Sequence, residues 1–443
     1  YYISKHFHTK KCTIALFGMF YALSAYSAAY SWNIMWLDCI VLIPLIMLGL
    51  EKLVDENKCY LYCISLGLCI FTNYYISIMV CISVCLYFIV LMIAYDGDKS
   101  FGIYIKKILR WIFYSLIAGG LAACLLLPEM YTFSLSASSS TSFPTKLTSY
   151  FSVMEMLVRQ LINVPVHLGL EHYPNIYCGV AVFLLIPLYI MNKKIKPAEK
   201  IGKCIILLVF LLAFNLNIPN FIWHGFHYPN SLPCRQSFIY IALVLTMCYQ
   251  VCLELKETSW KQVVWAFWGA IIFVLMAEKL VDNSAQFHFS VFYAAIIFLA
   301  LYMGLIYLYK RKNWNEDVIM MLTLLLVAVE TALNLGVSSL PTTSRTAYVK
   351  DNQDTRRLAE SIKCDTFYRV EKGDSKTKND GAWMNFPSAS LFSSVANASL
   401  TDFVRKLGCE SSTNAYSIKG STPLVDSLFS IRYGIATIGA CWH

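Results

Sequence analysis

Charge is what this sequence has least of. Only 14% of its 443 residues are Asp, Glu, Lys or Arg, against about 25% in an ordinary soluble chain, while 58% are hydrophobic and the mean hydropathy is +0.55. That balance excludes a soluble enzyme and a disordered regulator. A CxxC motif is also lacking, as are an internal repeat of fixed period and any low-complexity tract beyond the short Ser run at 136–142. Sixteen cysteines are present, but thirteen precede residue 336 and lie mostly in apolar runs, where Cys acts as a small apolar residue. The remaining Cys364, Cys409 and Cys441 cannot all pair with one another, so a secreted disulfide scaffold is excluded too.

What the chain does have is apolar runs, at about 12–30, 37–50, 59–73, 76–95, 111–127, 176–191, 204–218, 237–252, 262–277, 288–309 and 317–335. At roughly 20 apolar residues per spanning helix, some reach that length by borrowing interfacial aromatics, and the expectation is a polytopic, mainly α-helical membrane protein of about eleven transmembrane helices. The net charge of +9 resolves into the connecting loops rather than into a basic stripe of the kind a nucleic acid would need, so no nucleic-acid partner is expected. One alternating set of loops carries nineteen Lys and Arg, the other only Lys146, Arg159, Arg235 and Lys279. Basic loops stay inside, which makes the N-terminus of this chain cytoplasmic. From Gly336 onward come thirteen further Lys and Arg, many Ser, Thr, Asn and Asp, and no run of membrane length. The organisation expected is a transmembrane domain over 1–335 and part of an extracytoplasmic soluble α/β domain over 336–443. In that tail Thr366–Glu371 and Ser430–Ile438 read as strands and Ser399–Gly408 as a capped helix.

Two outer loops stand out by length and composition, 128–175 and 219–236, and long loops in a compact architecture are commonly functional. The first contains Val153–Ile162, an amphipathic stretch suited to the membrane surface. The second holds His224, His227, Tyr228, Asn230 and Arg235. A guanidinium at the outer mouth of a helix suits a phosphate through paired hydrogen bonds; pairing with a carboxylate or snorkelling to lipid headgroups would satisfy it as well. The His pairs 224/227 and 167/172 leave a divalent cation open as a cofactor, although a structural metal site would want four ligands. Outer carboxylates are few. Asp38, near the membrane surface, reads either as a functional acid or as an N-terminal helix cap, and Glu171 beside His172 reads as an acid or base or as a solvated loop residue. Glu330 and Asn334, one turn apart, should face the bundle interior as interhelical glue. Asn397-Ala398-Ser399 fits the glycosylation acceptor pattern.

The runs LSAYSAAYSWNIMWLDCIVLIPLIMLGLEKLV (23–54), FTNYYISIMVCISVCLYF (71–88), FHYPNSLPCRQSFIY (226–240), TFYRVE (366–371) and SLFSSV (390–395) carry a resemblance over nearly the whole chain. It resembles the YfhO family of bacterial membrane proteins. The resemblance implies a GT-C-like integral-membrane glycosyltransferase fold that takes a sugar from undecaprenyl phosphate at the outer face and decorates a cell-envelope polymer of the teichoic or lipoteichoic acid type. It implies that the family's catalytic carboxylate lies in a first outer loop, following a first helix, and the chain, opening on Tyr1, is expected to start beyond both. The family's outer loop with Pro, Arg and aromatics matches at His227, Tyr228, Pro229, Pro233 and Arg235. The resemblance carries no catalytic carboxylate over to this chain; the residue reading leaves Asp38 and Glu171 as candidate catalytic residues, and Arg235, His227, Tyr228, His224, Arg159 and Tyr75 as candidate substrate-binding residues. The competing functions are a lipid or polymer transporter, against which Pro44, Pro187 and Pro219 fall without matching halves, and a non-catalytic envelope-assembly protein.

Overall fold

The computed structural model describes every residue except 137–141, 230, 283, 285, 313, 341 and 437–443. The chain divides into two compact units, Tyr1–Ala123 with Phe143–Leu340, and Cys124–Ser142 with Pro341–His443. The first is built of helices: α1 (Tyr2–His6), α2 (Thr13–Ala22), α3 (Ala25–Tyr30), α4 (Ile34–Asp55), α5 (Tyr60–Thr72), α6 (Tyr74–Ala94) and α7 (Phe101–Leu121). Beyond α8 (Ala123–Ser134) follow α9 (Val153–Val158), α10 (Val182–Met191), α11 (Pro197–Asn215), α12 (Asn217–Trp223), α13 (Ser237–Leu253), α14 (Trp260–Leu280), α15 (Phe289–Arg311) and α16 (Glu316–Ser338).

Each apolar run falls wholly or largely on one or two of these helices, so the polytopic α-helical architecture holds. Among the described residues six spans are long and apolar enough to cross a membrane: Thr13–Tyr30, α4, α6, α14, α15 and α16; α7 with α8 makes a seventh if that pair is one span. The difference from eleven lies in four runs, of which one, on the 19-residue α11, carries Glu199, Lys200 and Lys203 in its first turns, while the other three form short helices. Helices α5, α10 and α13 have 13, 10 and 17 residues, and at 1.5 Å per residue all three are shorter than a hydrocarbon layer about 30 Å thick, α13 by the least. The run at 176–191 is shortened because its first six residues are not helical. Gly179 there has φ +104°, and a Cβ on it would sit 2.5 Å from the Phe20 ring. The freed backbone is met from α16: Glu330 accepts from the Val180 N–H at 2.7 Å and the Tyr177 hydroxyl at 2.9 Å, and from the Tyr302 hydroxyl. Asn334 accepts from the Asn163 N–H at 2.9 Å. Both side chains are buried, and they tie irregular backbone to a continuous helix, as a bundle in lipid requires.

Helices α4 and α5 lie against each other at backbone distance. A Cβ on Gly49 would meet the Tyr62 backbone nitrogen at 2.4 Å, so only glycine lets these backbones approach. In the amphipathic stretch from Val153 protein covers most of the apolar face, although Val153 itself is exposed. Helix α9 is six residues long, closed by a Ser152/Glu155 capping box, and Met156, Val158, Leu161 and Ile162 are all buried.

In the second unit α8 precedes α17 (Arg345–Val349), α18 (Asn352–Ser361), β1 (Arg369–Lys372), α19 (Asp380–Met384), β2 (Leu391–Phe392), α20 (Ala398–Lys406), β3 (Glu410–Ser411), β4 (Ala415–Ser417), α21 (Pro423–Leu428) and β5 (Ile431–Ile435). Strands β1 and β5 pair in parallel, and β2-β4-β3 form an antiparallel sheet. The strand read at 366–371 begins three residues later, and the one read at 430–438 ends at Ile435 among the described residues, which exclude 437, 438, Cys441 and His443. The helix read at 399–408 is α20, with Asn397 as its cap, accepting from the Leu400 N–H at 3.1 Å, and Gly408 beyond its end at φ +83°. Segment 124–142 belongs with the tail: Leu135 O accepts from the Ala398 N–H at 3.0 Å.

Candidate functional site

The two connectors 143–175 and 219–236 are stitched into one surface. Asn215 and Asn217, at the junction of α11 and α12, bond the backbone of Tyr150, Phe151, Thr148 and Lys146. The Leu232 N–H donates to Leu168 O at 2.9 Å and the Cys234 thiol to His172 O at 3.3 Å. Tyr30 donates to Pro233 O at 2.6 Å and so anchors the turn before α13 to α3.

That turn fixes Arg235. Its Nε donates to Leu232 O at 3.0 Å and one Nη to Ser231 O at 3.1 Å. The guanidinium lies 4.9 Å from the Tyr75 ring centre and 5.2 Å from that of Trp36, within cation–π range. Tyr75 Oη is 3.3 Å from His227 Nε2. Trp36 comes from the first turn of α4, and Tyr75 from the start of α6, which Asn73 caps by accepting from the Ile76 N–H at 2.8 Å. Among the described residues no carboxylate pairs with Arg235, so the ion-pair reading of this side chain fails and the guanidinium keeps N–H donors on its open side.

His224 is enclosed beneath this cluster. Its Nδ1–H donates to Asn220 O at 2.8 Å, which leaves Nε2 as an acceptor without a protein partner. Burial, and then the Arg235 charge, push its imidazole down to about 3; His227 is lowered by the same two causes. Both rings are neutral at pH 7. His172 Nδ1, the Gln236 amide and the Tyr150 hydroxyl are further buried polar atoms without protein partners among the described residues. Tyr228 is exposed, with its ring 5.1 Å from Phe221. Asn230 lies outside the described residues.

Three candidates are not part of this cluster. Arg159 is a buried tie: it donates to Pro174 O, Pro165 O, Asn175 Oδ1 and Gln286 Oε1 at 2.6–3.4 Å. Burial draws it down to about 10. With four of its five N–H groups engaged it organises the 159–175 loop and has little left for a ligand. Asp38 is exposed on the second turn of α4, two residues from Trp36 and therefore on the opposite side of the helix. The cap of α4 is Asn33, so Asp38 is not the cap either. Glu171 is exposed and contacts His167, not His172: its Oε2 is 2.6 Å from His167 Nε2. Burial and Arg159 lower the His167 imidazole, against the raising effect of Glu171. No group of three or more His, Cys, Asp or Glu side chains able to hold a metal occurs among the described residues.

Trp36 is the residue that sequence reading passes over. Its signal is an aromatic in the first turn of a spanning helix, which in a membrane protein is ordinarily an interfacial anchor.

Among the described residues, six or seven apolar helices of spanning length define a multi-pass integral membrane protein. The chain belongs to the YfhO family: the family described as bacterial membrane protein YfhO matches residues 1–440. No curated protein and no solved structure matches it.

Proposed function

We propose that the chain is a glycosyltransferase of the outer membrane face, moving a sugar from a polyprenyl-phosphate carrier, undecaprenyl phosphate, to a cell-envelope polymer of the teichoic acid type. The observation that carries the reading is Arg235: two backbone carbonyls accept from its guanidinium and two aromatic rings lie within cation–π range, with no internal counter-charge among the described residues. Such a group is ready for a lipid-linked phosphate. The partnerless polar atoms around His224, His172 and Gln236 suit a wet site for hydroxyl-rich ligands. In the transfer, the bond from the sugar's anomeric carbon to the phosphate oxygen breaks and a bond to the acceptor oxygen forms. Arg235 stabilises the departing phosphate, and a carboxylate takes the acceptor proton. Neither candidate carboxylate, Asp38 or Glu171, belongs to the Arg235 cluster; Glu171, on the loop bonded to the Arg235 turn, is the one to which this reading assigns the role.

The test uses the full chain in liposomes, with undecaprenyl phosphate as the probe. Arg235→Ala should weaken its binding by about 1.5–3 kcal/mol, or ten- to hundredfold, with the protein level unchanged, and should abolish polymer decoration in cells. Unchanged binding and decoration would remove Arg235 from the site. Glu171→Gln should leave binding intact and stop decoration.

The second reading, a carrier-lipid transporter or envelope-assembly protein without transfer chemistry, is favoured by the absence of Asp38 and Glu171 from the shell around Arg235. Normal decoration in Glu171→Gln and Asp38→Asn together, with loss in Arg235→Ala, would decide for it.

A further inference from the structure

A second feature lies at the other end of α13. Arg235 precedes the first residue of this 17-residue helix, while Cys252 and Leu253 at its end line a cleft of about 340 Å³, so the two are separated by roughly 25 Å of helix. The cleft runs between α2, α10, α13, α15 and α16, and its walls are apolar, with Leu16, Phe17, Leu184, Ile306, Ile319 and Val327 among them. Its size is that of a small-molecule site. Its rim is polar: Lys11, Glu316 and Asp317 stand there, Lys256 is paired with Glu316, and Lys310 donates to Leu255 O at 2.6 Å and to Lys256 O at 2.7 Å. Lys10, Arg311 and Lys312 flank it in the sequence.

In a bilayer an apolar cleft between spanning helices is not filled by water, and a hydrocarbon chain is the matching occupant. Lys11 on the rim, with Lys256 and Lys310 beside it, makes three cations against the carboxylates Glu316 and Asp317. Because Lys256 engages Glu316, Lys11 is the lining cation left for a headgroup. We infer that this cleft binds one acyl chain of an anionic phospholipid, whose headgroup phosphate sits at Lys11 and the neighbouring lysines. Basic pockets between membrane helices take anionic headgroups in this way. The site is independent of the function proposed for Arg235, and no chemistry takes place in it.

The test is lipid retention by the full-length chain, read by native mass spectrometry after exchange in detergent with phosphatidylglycerol or phosphatidylcholine. The wild type should retain one phosphatidylglycerol roughly fivefold better than phosphatidylcholine, the factor that one lysine near an anionic surface contributes. Lys11→Gln, at the exposed rim, should erase that preference without lowering the unfolding temperature. Thr323→Phe, which projects a ring from the half-buried wall into the cleft, should lower retention of both lipids. Arg235→Ala should leave retention unchanged. Equal retention of the two lipids by the wild type would overturn the inference, as would preferential displacement of phosphatidylglycerol by undecaprenyl phosphate. Loss of retention in Arg235→Ala would overturn it too, by assigning the lipid to the other site.

Discussion

At the scale of single residues, burial decides which histidines carry charge. His224 is fully enclosed and its imidazole is pushed to about 3, well below its ordinary 6.5. Between those two values the unfolded chain binds a proton that the folded chain refuses, so stability is intact above about pH 6.5 and falls as the pH drops through the window. The slope from this one group is about 1.4 kcal/mol per pH unit. His167, His172 and His227 are lowered by burial as well and act with the same sign. Unfolding temperatures of the purified chain at pH 7, 6 and 5 should therefore decline steeply, and His224→Phe should flatten the decline. An equally steep curve in that variant would show that the imidazole is not held neutral by the fold. The same contrast explains why Arg235 and Arg159, alike in sequence as isolated cations in outer loops, differ in structure. One keeps free donors beside aromatic faces, whereas the other is surrounded by carbonyls. Hydrophobic patterning carries no record of that difference, because the partners are backbone groups of segments distant in the chain.

At the scale of elements, glycine sets how near two helices come. Gly49 brings α4 against α5, where a methyl group would overlap the backbone at Tyr62. Gly269 in α14 faces open space, with no atom within 4 Å of where a Cβ would stand. Gly49→Ala should cost about 1–3 kcal/mol by overpacking, whereas Gly269→Ala should be neutral or gain up to about 1 kcal/mol from helix propensity. Denaturant titration of the two variants in detergent checks the pair, and an equal response in both would deny the close approach of α4 and α5. Element positions are legible in the sequence because an apolar run in a charge-poor chain has few alternatives. Element lengths are not. The run before α10 looks continuous by hydropathy, yet Gly179 and the carboxylate of Glu330 make its first residues irregular, and that carboxylate lies 150 residues further on. The α9 stretch misleads for a related reason: amphipathicity shows that one face is buried, without showing whether lipid or protein buries it.

At the scale of the whole molecule, the function proposed above depends on which side of the membrane the Arg235 turn meets. The basic loops give the only directional signal in the sequence, nineteen cations against four, and α13 alone connects the two features of interest, with Arg235 at its start and the lysine-rimmed cleft at its end. Placing the basic loops in the cytoplasm therefore requires the Arg235 turn, and with it the connector bonded through Leu168 and His172, to face outward. An epitope inserted after Ser231 should be reached by antibody on intact spheroplasts. One inserted after Gly97, in the loop between α6 and α7 that leads into Lys106, Lys107 and Arg110, should be reached only after permeabilisation. The reverse pattern would put the guanidinium on the cytoplasmic face, where it would meet a cytosolic phosphate ligand instead of a carrier-linked sugar at the cell surface. The glycosyl-transfer reading would then fall, while the lipid cleft, whose recognition depends on the phospholipid alone, would survive on the opposite leaflet.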